Sequence, residues 1–340
     1  MRILILYFLP VIFLLFLVSC NEISEGNKKT ATDDKIEKTI DPLSEINAQL
    51  STDKENDKLY IERAKYYLSI GETDSAFRDI FVAIDINKLD PYHYITLSDT
   101  YLVLGSPDKC KDALDKALAI DPENKLAYQK LAELFLIVKD YDQTYETINK
   151  VLQFDSFNPS AYYIRGLAML EQADSLAAVE AFKMAVYQDQ DFFDAYFQLG
   201  LIFMGKKDLL AVEYFNTSIN LQPDNVLPYY HLGLYYQENG QTQKALSTYQ
   251  MILEMQGNHV TTIYNIGYIN LVYVQDFKIA VDYFTSAIEL APLYAEAYFN
   301  RGYAYEMLGE NNMARADYKK TLEIKTNYTR AVNALNRLDR

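Results

Sequence analysis

The 340-residue sequence predicts an all-α fold, a solenoid of about eight helical hairpins closed by a short capping helix at each end. Three observations predict it. Between Val226 and His259, residues Tyr229, Leu232, Gly233 and Tyr236 are three, four and seven apart and share one helical face; after a break at Gly240, Ala245, Tyr249 and Ile252 share one face of a second helix. The side-chain-free Gly233 and the small Ala245 let two helix backbones approach closely. The same pattern then recurs about every 34 residues along the chain. A hairpin of this kind cannot bury its own apolar stripes, so copies must stack.

The recurrence is read position by position. The first aromatic position holds Tyr60, Tyr94, Tyr128, Tyr162, Tyr196, Tyr229, Ile263 and Tyr298, and four residues later stand Ala64, Ser98, Ala132, Gly166, Gly200, Gly233, Gly267 and Gly302. The second helix carries Ala76, Cys110, Thr144, Ala178, Ala211, Ala245, Ala280 and Ala314, each followed four later by a bulky Ile80, Leu114, Ile148, Phe182, Phe215, Tyr249, Phe284 or Tyr318. Pro122, Pro223 and Pro292 close repeats where a helix must stop. This pattern resembles the tetratricopeptide family, with its aromatic, Leu-Gly pair, Tyr, Ala-x-x-x-Phe and terminal Pro. The resemblance implies a right-handed superhelix. It covers residues 57–328 as eight repeats, 57–90, 91–124, 125–158, 159–192, 193–225, 226–259, 260–294 and 295–328. The fifth repeat is a residue short near Lys206, the seventh a residue long around Val272 to Gln275, and Arg63, Arg165 and Arg301 replace the usual Leu.

Ahead of the repeats, residues 1–19 read as a signal peptide: Arg2 precedes an apolar run from Ile3 to Val18 that is shorter than the roughly 20 residues of a membrane-spanning helix. The segment Leu17-Val18-Ser19-Cys20 resembles the lipobox of bacterial lipoproteins, which implies cleavage before Cys20, lipid (palmitate) on its sulfur, and a place in the cell envelope. Asn21 in place of Asp implies sorting to the outer membrane. Residues 20–40 are polar and aperiodic, a tether. Residues 41–56 form a first capping helix on Leu43, Ile46 and Leu50, opened by Pro42, and residues 329–340 a last one, with Ala331, Leu335 and Leu338 inward and Arg330, Arg337 and Arg340 toward water.

A net charge of −15 argues against nucleic acid, whose phosphates call for clustered Lys and Arg. No catalytic constellation, cofactor loop or metal spacing is visible: His93, His231 and His259 lie far apart, and the glycines sit where the repeat needs them. The expectation is a protein that is not an enzyme and holds no cofactor, nucleic acid or metal. Cys110, in the small position of its repeat, reads as an apolar filler.

Function is expected in the groove. The family resemblance implies that first helices line a concave wall with their fifth, sixth and ninth residues. In repeats four to eight the fifth residues are Tyr163, Phe197, Tyr230, Tyr264 and Phe299, the sixth Ile164, Gln198, His231, Asn265 and Asn300, and the ninth Leu167, Leu201, Leu234, Tyr268 and Tyr303. Rigid aromatics offer contact area at low entropy cost and amides offer donors and acceptors, which suits an extended peptide. Repeats one to three present a mixed charged surface at the same places, including Lys65, Asp99, Gln129 and Glu133. The reading is a lipid-anchored envelope scaffold or adaptor binding a protein or peptide segment. The alternative is a carbohydrate-binding surface lipoprotein of a glycan-uptake system, in which tyrosine faces stack on sugar rings. No fifth-position Lys is present, so the resemblance does not extend to relatives that clamp acidic peptide tails.

Overall fold

The structure is a computed structural model that describes residues 41–339. The signal peptide, Cys20 and the tether expected at residues 1–40, and Arg340, lie outside the described residues. Among the described residues every regular element is a helix, and no helix is long and apolar enough to cross a membrane. The chain divides into two compact units between Ser156 and Phe157.

The first unit holds α1 (Pro42–Thr52) and three hairpins: α2 (Asp57–Ser69) with α3 (Thr73–Ile86), α4 (Pro91–Val103) with α5 (Pro107–Ile120), and α6 (Lys125–Ile137) with α7 (Tyr141–Phe154). The second holds five hairpins and a last helix: α8 (Pro159–Glu171) with α9 (Ser175–Gln188), α10 (Phe193–Gly205) with α11 (Leu210–Leu221), α12 (Val226–Glu238) with α13 (Thr242–Met255), α14 (Val260–Ile269) with α15 (Phe277–Leu290), α16 (Ala295–Met307) with α17 (Asn311–Ile324), and α18 (Thr329–Leu338). Starts follow from local chemistry. Asn56, Asp90, Asn124, Asp140, Asn158, Asp174 and Asp276 accept from a backbone N–H of the first turn, and Pro91, Pro107 and Pro159 occupy first positions where no donor is needed.

Each first helix ends in a left-handed residue, at Gly71, Gly105, Lys139, Ala173, Lys207, Gly240, Gln275 and Gly309. In seven of these the next residue's N–H reaches back five residues, as in Glu72 N to Tyr67 O at 2.8 Å and Asp174 N to Met169 O at 2.9 Å. This closure satisfies the orphan carbonyls and turns the chain into the second helix. The eighth differs because its repeat has a residue more: a wide π-type turn at Asn270–Val274 absorbs it, and the buried Asn270 amide donates to Ile266 O at 2.8 Å. The deficit of the fifth repeat is taken up at the start of α11, which has 12 residues where most second helices have 14.

The hairpin core is one contact repeated. A Cβ on Gly166, Gly200 or Gly233 would come within 2.6, 2.6 and 2.5 Å of the rings of Phe182, Phe215 and Tyr249, and one on Gly267 or Gly302 within 3.0 Å of Phe284 or Tyr318. In the first unit the bulky partner is aliphatic, Ile80, Leu114 or Ile148, and the facing position widens to Ala64, Ser98 or Ala132. Volume is conserved across the pair, as close packing demands.

Arg63 and Arg301, in the first and last repeats, keep their charge by a matched change 16 residues on. Arg63 grips Asp79 with two bonds of 2.6 and 2.7 Å and Arg301 grips Asp317 with two of 2.8 Å. Both guanidiniums also lie over tyrosine rings, Tyr60 and Tyr67 in one case and Tyr298 and Tyr305 in the other. At the ends, Leu50 of α1 is buried, and Ala331 and Ala334 of α18 pack with Ala314 and Tyr318. Arg337 lies partly outward yet pairs with Glu306 through two 2.7 Å bonds. Cys110 is buried among Ile95, Leu114 and Leu131, and burial pushes its thiol up to about 12, the state of a packing group.

Candidate functional site

The fifth-position rings of the second unit form a spine inside the hairpins. Each lies against the bulky ring of its own second helix, with centroid distances of 5.6 Å for Tyr163 on Phe182, 6.0 Å for Phe197 on Phe215, 6.3 Å for Tyr230 on Tyr249, and 5.6 Å for both Tyr264 on Phe284 and Phe299 on Tyr318. A further ring comes from the residue that leads into the next first helix. Phe192 meets Tyr163 at 5.2 Å, His259 meets Tyr230 at 5.9 Å, Tyr294 meets Tyr264 at 4.8 Å and Tyr328 meets Phe299 at 5.1 Å. Tilted and edge-on pairs of this kind are worth about 0.5–1.5 kcal/mol each beyond burial.

That spine corrects much of the expected groove. Ile164, Leu167, Phe197 and Gln198 are buried, with Phe197 only 2% exposed, so they are packing residues. His231 lies on Phe197 at 5.5 Å, on Phe215 at 6.0 Å and against Tyr230 at 5.6 Å, and burial holds its imidazole down at about 4. The amides expected to meet a peptide backbone are already engaged. Asn300 donates to the Tyr264 hydroxyl at 2.8 Å, and Asn265 donates to the Tyr249 hydroxyl at 3.2 Å, which in turn donates to Gln237. The physical reason is that a fifth- or sixth-position side chain borders two surfaces: the rings that lead into the next helix lie against Tyr163, Tyr230, Tyr264 and Phe299, whereas Phe215 and His231 enclose Phe197.

What remains open is the ninth-position row beyond the buried Leu167. Leu201, Leu234 and Tyr268 are half-buried and Tyr303 is 38% exposed, while Tyr163, Tyr230, Tyr264 and Phe299 each keep part of their ring uncovered. Spacing did not reveal Val272, Tyr273 and Val274, which the π-type turn leaves exposed, with Tyr273 edge-on to Tyr268 at 6.3 Å; nor did it reveal Met307, exposed one turn beyond Tyr303. The extra residue of the seventh repeat was their signal. In the first unit the charged positions answer one another instead: Lys130 lies 3.1 Å from Asp99 and 3.4 Å from the mostly buried Glu133, to which Gln129 also donates. The carboxylates outweigh the burial of Lys130 and raise its pKa. The histidines gave no ligand spacing along the chain, yet the fold brings Asp57 and Asp90 to His93.

Comparison with known proteins fits the same repeat. Residues 94–124, 214–247 and 283–316 match family models described as tetratricopeptide repeat. These stretches of the chain are tetratricopeptide repeats. The chain's tetratricopeptide fold is similar to that of the C-terminal part of a TPR repeat-containing protein from Cytophaga hutchinsonii, at 20% identity over 70% of this chain and 98% of that one, with a TM-score of 0.60. It is similar to the APC/C hetero-tetramer Cut9-Hcn1 at 17% identity over 86% and 58%, TM-score 0.51, and to Pseudomonas aeruginosa pilF at 24% identity over 60% and 92%, TM-score 0.51. No curated protein matches the chain. At these identities the likeness is one of fold. Tetratricopeptide repeats are typically non-catalytic scaffolds for protein interaction, and that is the class of function this repeat array supports.

Proposed function

We propose that the protein is an adaptor of the bacterial envelope, held by lipid on Cys20 at the outer membrane, that takes an extended, largely apolar protein segment along the first helices of its second unit. The observation that supports this is the ninth-position row. Leu201, Leu234, Tyr268 and Tyr303 stay at least partly accessible beside the part-exposed rings of Tyr230, Tyr264 and Phe299, while Phe197 and Gln198 are buried and Asn265 and Asn300 are bonded internally. A narrow line of aliphatic and tyrosine side chains on rigid helices fits alternate apolar side chains of a peptide, and the negative net charge favours a neutral or basic one. The free amides for gripping a peptide backbone are fewer than the sequence suggested, so apolar contact carries the binding. No chemistry is required of the protein, only shape and tethering.

A photo-crosslinking amino acid placed at Tyr268 or Tyr303 in living cells tests the site. The expected result is a discrete protein adduct that is lost when Leu201 and Leu234 are changed to Ser, with no such adduct from Tyr187, which is exposed on a second helix. Equal adducts from Tyr187, or adducts indifferent to the Leu changes, would refute it; binding on a glycan array that needs Tyr268 and Tyr303 would move the reading to carbohydrate. Cys20→Ser should abolish metabolic labelling by a palmitate analogue and release the protein from membranes.

A further inference from the structure

The sequence assigns no metal to this chain, but three groups at the junction of the first two hairpins are arranged as a ligand set. Asp57 stands at the start of α2, Asp90 caps α4, and His93 lies one turn into α4. One ligand atom from each of the three lies within 4.8 Å of the others. His93 Nε2 is 3.2 Å from Asp57 Oδ2 and 3.8 Å from Asp90 Oδ2.

Each group is oriented by a second bond. His93 Nδ1 lies 3.1 Å from the carbonyl oxygen of Asn87, an acceptor, so Nδ1 is the donor and Nε2 is the ring nitrogen that faces the two carboxylates. Asp57 Oδ1 accepts from Lys58 N at 3.0 Å and Asp90 Oδ1 from Tyr92 N at 2.9 Å, which turns both Oδ2 atoms toward the imidazole. Asn87 Nδ2 donates to Asp57 Oδ2 at 3.1 Å. A ring nitrogen fixed by a carbonyl on its far side, and a carboxylate fixed by an amide, are the outer contacts that histidine and carboxylate metal ligands use.

The independent observation is His93 itself. Its side chain is 1% exposed, and Nε2 has no hydrogen-bond partner despite the nearby carboxylates. The 3.2 Å approach to Asp57 therefore lacks the alignment of a hydrogen bond. A buried, unpaired nitrogen flanked by two carboxylate oxygens is costly on its own and is relieved by a cation between them. Bonds of about 2.0–2.2 Å from a tetrahedral zinc ion set its ligand atoms about 3.3–3.5 Å apart, between the two separations seen here. Two carboxylates balance a divalent charge, and one imidazole beside them favours zinc over magnesium or calcium.

We propose that Asp57, Asp90 and His93 bind a zinc ion. Asp57 and Asp90 keep 16% and 26% of their side chains exposed, so the fourth position opens to water. The ion joins the first turn of α2 to that of α4 and staples the first hairpin to the second.

The test is calorimetric titration of the full chain, stripped with chelator and held in excess magnesium to occupy loose surface carboxylates, with zinc. One saturable site per chain is expected. Asp57→Asn and Asp90→Asn keep shape, and Asn at the second position still caps α4; each should weaken zinc binding by about 100-fold or more while leaving the circular dichroism unchanged. Asn87→Ala should weaken it by about 10–100-fold through the lost support of Asp57. In the zinc-loaded chain, nitrogen-detected NMR should show a single ring N–H on His93, at Nδ1. Absence of a saturable site, undiminished binding in Asp57→Asn and Asp90→Asn, or two ring N–H protons on His93 in the presence of zinc would overturn the proposal, the last by making the cluster a buried imidazolium ion pair.

Discussion

Replacing Gly200 by Ala places the most repeated contact of the fold under test. The added Cβ would lie 2.6 and 2.7 Å from two ring carbons of Phe215, against the 3.5–4.0 Å of an ordinary carbon contact. Phe215 is fully buried and held between Phe197 and His231, both at 6.0 Å, so the ring has no free direction in which to retreat. Helix propensity favours Ala over Gly by about 1 kcal/mol, while overpacking costs about 1–3 kcal/mol. The net expectation is a loss of up to about 2 kcal/mol. Phe215→Leu alone opens a cavity and costs less than the roughly 3–5 kcal/mol of a Phe→Ala change. Together the two changes recreate the pairing of the first unit, where Ser98 faces Leu114 and Ala132 faces Ile148. The double variant should therefore be more stable than the sum of the singles by about 0.5–3 kcal/mol. Urea midpoints followed by circular dichroism on the four chains measure this, midpoints being preferred because long repeat arrays depart from all-or-none unfolding. A Gly200→Ala chain as stable as the parent, or strict additivity, would refute the volume-matching argument.

The other predictions concern single devices. Ala173 holds a left-handed backbone with φ of 63°, a conformation that costs a non-glycine residue about 1–2 kcal/mol; Ala173→Gly should raise the urea midpoint, offset in part by greater freedom in the unfolded chain. His231 stays neutral in the folded state down to about 4, whereas its unfolded value is about 6.5. As pH falls through that window the unfolded chain takes a proton that the folded chain refuses, so stability present above about 6.5 is lost, by at most about 3 kcal/mol, and the loss levels off below about 4. Denaturation midpoints at neutral and acid pH should thus fall further for the parent than for His231→Phe; equal falls would remove His231 as the cause. Asp317→Ala leaves the half-buried Arg301 without its carboxylate and should cost about 2 kcal/mol, below the roughly 3–5 kcal/mol of a fully buried pair. Adding Arg301→Leu should recover most of it, because Leu97 and Ala113 fill the same two places in the second repeat; no recovery in thermal melts would count against the matched-pair reading.

What the amino-acid sequence determines by itself is local. Three- and four-residue spacings set which side chains share a helix face, a glycine opposite a bulky ring sets how closely two helices meet, and the 34-residue period forces hairpins to stack. These persist in the folded chain because each depends on residues within one repeat. Even so, left-handed turns at Lys139, Ala173, Lys207 and Gln275 carry no glycine to announce them; closure of the hairpin imposes them. The tertiary structure alone decides which face of a first helix stays open. Tyr264 and Asn300 lie 36 residues apart, and their hydrogen bond turns an expected ligand contact into an internal one. Phe197 passes from groove to core because Phe215 and His231 enclose it. Asp57, Asp90 and His93 meet for the same reason, since stacking places the start of one repeat beside the start of the next. Such encounters join residues about one repeat apart, and helical periodicity gives no measure of that distance.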